Sequence, residues 1–77
     1  MSLEYFLNEY YPYGLIEVRS AENGNLLFTA REGKLFDKYK CHKICSVDYQ
    51  IRLHKSKDVS YSVMVIFISL EIKGGNK

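Results

Sequence analysis

The sequence predicts a single α+β domain: a short N-terminal helix packed on a small curved antiparallel sheet of two β-hairpins. Three observations carry this prediction. Leu3, Phe6, Leu7 and Tyr10 recur at helical spacing. Asn23-Gly24 lies between two short apolar runs, the strongest hairpin signal in the chain. Two longer strand-like runs, 44–54 and 59–72, flank the polar turn Lys55-Ser56-Lys57-Asp58. Segregation of the helical signal from the strands is the α+β pattern. At 77 residues the chain is long enough for one domain, here 1–73 with a frayed tail at 74–77. Its 47% hydrophobic share excludes disorder over most of the length.

The helix is expected over Ser2–Tyr11. Ser2 is placed to cap it, Glu4 in its first turn suits the helix dipole, and Pro12 stops it. So short a helix is not stable alone in water and must bury its apolar stripe. Leu15–Ser20 alternates, with Ile16 and Val18 on one face and Glu17 and Arg19 on the other. Glycine and asparagine in the turn supply the positive φ of a tight hairpin, and Leu26–Ala30 returns with Leu26, Phe28 and Ala30 on one face. Residues 31–43 read as an irregular charged connector with a helical turn around Leu35-Phe36.

Residues 44–54 place Val47, Tyr49, Ile51 and Leu53 on one face and Asp48, Gln50, Arg52 and His54 on the other, a strand with one wet face. The run 59–72 reads as the longest strand. Between Val63 and Leu70 it is apolar on both faces, which predicts a central or doubly covered position.

Charge is unevenly spread. Residues 1–30 carry a net −3 and residues 31–77 a net +5, giving the total of +2. The basic stretch supplies one candidate site, for nucleic acid: Lys34, Lys38, Lys40 and Lys43 for phosphates and Tyr39 for base stacking. The same stretch equally suits a solvated connector, because Glu32 and Asp37 interrupt it. The acidic half supplies the other candidate, for protein. Tyr10, Tyr11 and Tyr13 exceed what so short a helix can bury, and tyrosine is enriched in contact surfaces. Their bland alternative is a roof over the sheet with wetted hydroxyls.

No catalytic or metal constellation is expected. Cys41-His42-x-x-Cys45, with His54 later, has four soft ligands but the wrong spacing for a zinc knuckle. In an extended segment the two cysteines stand ~13 Å apart. Cys45 then reads as a small apolar filler and Cys41 as partly exposed. Gly14, Gly24 and Gly33 are isolated turn residues, not a phosphate loop, and no carboxylate pair stands out. The expectation is a non-enzymatic protein without a cofactor. The longest apolar run, 63–68, is far short of the ~20 residues of a spanning helix. With no basic, apolar leader at Met1-Ser2-Leu3-Glu4 and two unpaired thiols, a cytoplasmic location without membrane contact is expected.

Ile16-Glu17-Val18-Arg19-Ser20-Ala21-Glu22-Asn23-Gly24-Asn25-Leu26-Leu27-Phe28, a charged connector, Lys43-Ile44-Cys45-Ser46-Val47-Asp48 and a last apolar strand form a pattern spanning roughly residues 3–72. The pattern resembles a group of small phage and prophage proteins of Gram-positive bacteria. That resemblance implies a mobile-element origin and a bacterial host cytoplasm; it transfers no activity and no site residue. The leading expectation is a module that binds a host or phage protein. The alternatives are a nucleic-acid-binding accessory protein and a homo-oligomer built through sheet edges or the last strand.

Overall fold

Ser2 starts the fold as its position predicts. Its Oγ accepts a hydrogen bond from the Tyr5 amide at 3.1 Å, satisfying a donor that the first helical turn cannot. The computed structural model describes residues 1–10, 14–54, 56 and 58–71. The elements are α1 (Leu3–Tyr10), β1 (Leu15–Ser20), β2 (Leu26–Phe28), α2 (Lys34–Tyr39), β3 (Ile44–His54) and β4 (Val59–Ile68). The predicted tail lies outside the described residues.

Both predicted hairpins form, β1 with β2 and β3 with β4, each antiparallel. They join through a parallel pairing of β1 with β4, in strand order β2-β1-β4-β3. The sheet is therefore mixed, which corrects the all-antiparallel expectation. Side-chain alternation fixes which face a strand buries but not which neighbour it takes or in which direction. β4 is central, as its two apolar faces predict, and is buried from Val63 to Ile66. It ends at Ile68, so β3, with 11 residues, is the longest strand.

The first hairpin is looser than its Asn-Gly signal implies. Only Gly24 takes positive φ, at 78°, while the Asn23 side chain accepts from the Asn25 amide at 2.9 Å. The Ser20 amide donates to the Asn25 carbonyl, so the loop is wider than two residues. A register shift follows at Val18/Arg19, β2 is only three residues long, and Leu26 and Ala30 are exposed. The connector is more regular than expected: α2 fills it and packs on β2, with Phe36 and Tyr39 at 6.4 and 5.8 Å from the Phe28 ring.

Leu3 and Leu7 of α1 meet Ile16, Val18, Phe28, Met64, Ile66 and Ile68 to form the core. These strand residues share one face of the sheet, here called the front. On the back, Val63 and Val65 are also buried, with no helix over them among the described residues. A network of long polar side chains crosses this face. Arg52 of β3 bonds both oxygens of Glu17 on β1, spanning β4 between them. Arg19 adds a second contact to Glu17 at 3.0 Å, and Gln50 accepts from Arg52 at 2.6 Å.

Candidate protein interface

The front face of β3 departs most from expectation. Its alternation is present, but the apolar side is the bare one: Tyr49 is 69% exposed, Ile51 74% and Leu53 60%. Val47 stands at the edge of the covered region. The reason is reach. α1, with eight residues, is ~12 Å long and sits over β1 and β4, whereas β3 runs for ~37 Å. β1 stops opposite Val63, so beyond that point β3 and β4 continue as a two-stranded ribbon. Across its front, Ser62 and Ser60 face Ile51 and Leu53. Across its back, Leu15, Val59 and Tyr61 are exposed and line a shallow depression of ≈ 410 Å³ with His54.

β3 is also an edge strand, and the two sheet edges differ. β2 is blunted by its three residues. β3 has no proline or lysine, and its one irregularity is the register shift between Ile44 and Ser46. That bulge at Cys45 turns both Ile44 and Val47 to the front. Cys45 is thereby exposed, not the apolar filler expected of it, and Cys41 is exposed too. The N-terminal segment closes the start of the edge: the Ile44 amide donates to the Met1 carbonyl and the Leu3 amide to the His42 carbonyl. Among the described residues, nothing pairs with the outer edge from Ser46 to His54.

Electrostatics fix the back of the strand. The Arg52 guanidinium, bonded to Glu17, holds that carboxyl below the usual carboxylate range against the opposing effect of burial, and Arg19 assists. The carboxylate in turn raises Arg52. Asp48 stands exposed four residues before Arg52, with the Gln50 side-chain amide at 3.5 Å.

The sequence-predicted sites fall elsewhere. Tyr10 is 62% exposed on α1, 5.0 Å from the Phe6 ring, while Tyr11 and Tyr13 lie outside the described residues. In the basic set, Tyr39 is half-buried and stacked on Phe28, so one ring face is used in packing. Lys38 Nζ sits 5.3 Å from that ring, and Lys40 contacts Asp37 at 3.7 Å. Lys34, Lys38 and Lys43 are exposed. The four soft ligands do not gather: among the described residues no cluster of three metal-ligating side chains occurs. His42 instead donates from Nδ1 to the Ser69 carbonyl at 2.8 Å and tilts against Tyr39. Among the described residues, no helix is long and apolar enough to cross a membrane.

The β3 stripe is legible in the sequence, where its alternation reads as a core-facing side. The signal that separates the two readings is length: an 11-residue strand beside an eight-residue helix outruns its cover. No protein-family model, curated protein or solved structure matches the chain.

Proposed function

We propose that this protein is a non-enzymatic interaction module of phage or prophage origin, working in the host cytoplasm through strand addition at β3. The observation that carries this reading is the outer edge from Ser46 to His54, which no described residue pairs, bordered by Tyr49, Ile51 and Leu53 on one face. An edge of this kind gives affinity through main-chain hydrogen bonds and specificity through alternate side chains. Its bare tyrosine and aliphatic groups add the apolar anchors found at contact surfaces. Tyr10, on α1, extends the set of exposed aromatics that a host or phage protein would meet.

The test is retention from a bacterial host lysate on immobilised protein, comparing wild type with Ile51→Lys and Tyr10→Ala. Ile51→Lys places a charge on the edge face, the device by which sheet edges resist pairing. A retained protein lost with Ile51→Lys supports the reading. A protein retained equally by wild type and Ile51→Lys does not bind through β3, and loss with Tyr10→Ala alone moves the contact to α1. The nucleic-acid reading stands second, because Tyr39 already spends a ring face on Phe28. It requires salt-sensitive binding of single-stranded DNA or RNA that Lys34→Glu with Lys38→Glu abolishes.

A further inference from the structure

We propose that the strand added to β3 is the β3 of a second copy, antiparallel, with the two-fold axis at Gln50; this rests on the β3 reading above. Register selects this pairing. In an antiparallel pair related by a two-fold axis, the axis passes through a residue facing itself, and directly opposed residues share a sheet face. Five centres, Asp48 to Arg52, pair five or more residues of the open span. An axis at Asp48 opposes like carboxylates, and one at Arg52 opposes like guanidinium groups, both unfavourable. An axis at Tyr49 sets Asp48 against Gln50 and runs His54 of one copy onto Ile44 of the other, whose amide Met1 already occupies. An axis at Ile51 sets Asp48 against His54 and Arg52 against Gln50, and shortens the paired span.

The axis at Gln50 alone satisfies every position. Asp48 of each copy faces Arg52 of the other on the back. Tyr49 faces Ile51 and Val47 faces Leu53 on the front, apolar against apolar. The paired span becomes 46–54, which is the stretch left open beyond the Met1–Ser2 closure. Arg52 can serve both carboxylates. Glu17 and Gln50 use its two terminal nitrogens, while Nε has no partner among the described residues. The product is one continuous eight-stranded sheet with β2, the blunted strand, at both ends. The two bare front stripes then lie side by side between the two α1 helices.

Sedimentation equilibrium tests the pairing and cysteine cross-linking tests the register. Wild type is expected at about 18 kDa, twice its 9.0 kDa, with the mass falling on dilution. Ser46 and His54 are opposed at this register and both exposed, so their charge is set without touching the Glu17 contacts. Ser46→Lys with His54→Lys, and separately Ser46→Glu with His54→Glu, are each expected to remain monomeric with wild-type circular dichroism. An equimolar mixture of the two is expected to recover the dimer. In a background of Cys41→Ser and Cys45→Ser, Gln50→Cys is expected to form a linked dimer on oxidation, and Asp48→Cys none, since only a residue on the axis meets itself within disulfide reach.

A chain at 9.0 kDa at every concentration that still retains a lysate protein sensitive to Ile51→Lys overturns self-pairing and leaves the β3 surface standing. A monomer that retains nothing removes both. A dimer in which Tyr49→Cys or Ile51→Cys links while Gln50→Cys does not overturns the register.

Discussion

Two isoleucines on neighbouring strands should respond very unequally to the same truncation. Ile66 of β4 is fully buried between β1 and β3, with Val18 and Val47 as its register partners. Ile66→Ala removes its transfer free energy and leaves a cavity in a small core, a cost of about 3–4 kcal/mol. Ile51 of β3 keeps 74% of its surface in water. Only its buried quarter is at stake, so Ile51→Ala should cost about 0.5 kcal/mol in the isolated chain, a fraction of a fully buried isoleucine. For a domain of this size the first change should lower Tm by roughly 15–25 °C and the second by about 3 °C. Urea unfolding followed by circular dichroism reads both, at protein concentrations low enough that self-association contributes nothing. Raising the concentration should widen the penalty of Ile51→Ala, because partner binding stabilises only the folded chain. An Ile51→Ala penalty above about 2 kcal/mol at the lowest concentration would refute the bare face. So would a penalty for Ile66→Ala no larger than that for Ile51→Ala.

Other perturbations follow from the same structure. Glu17 has a lowered pKa, so its ion pair contributes stability above the unfolded value of ~4.3 and loses it as pH falls through the lower folded value. Glu17→Gln should therefore cost about 1–2 kcal/mol at neutral pH, with the difference from wild type shrinking in acid; a difference constant across the acid titration contradicts this. Ser2→Ala should cost about 1 kcal/mol through the lost cap, and Ser2→Gly only a few tenths, by denaturant midpoint. Gly24→Ala should cost about 1 kcal/mol from φ alone, because a Cβ there meets nothing within 4 Å. No loss in that variant would mean that the turn adopts another conformation.

What the sequence discloses is local. The helical spacing of Leu3 and Leu7, the cap at Ser2, the face of β1 and the central place of β4 are each written in a few neighbouring residues, and each is present in the fold. The parallel pairing of β1 with β4 is not local: it depends on the path from Phe28 to Ile44, where charge masks the six-residue α2. The bare face of β3 was half legible. Period two marks Val47, Tyr49, Ile51 and Leu53 as one face, but burial depends on what lies above it, and α1 is too short to reach the ribbon. The Arg52–Glu17 contact joins residues 35 apart in sequence and has no signature in either neighbourhood. The turn at Asn23-Gly24 misled in a smaller way, since the asparagine side chain, accepting from Asn25, builds a wider loop.

Amide hydrogen exchange on β3, measured across a dilution series, tests the central claim most directly. Half of the strand's amides point away from β4, and their protection reports whether anything is added to the edge. Residues 46–54 are expected to gain protection as protein concentration rises, while α1 and the centre of β4 are protected throughout. Outward amides of 46–54 that exchange equally at every concentration, whether fast or slow, would contradict it.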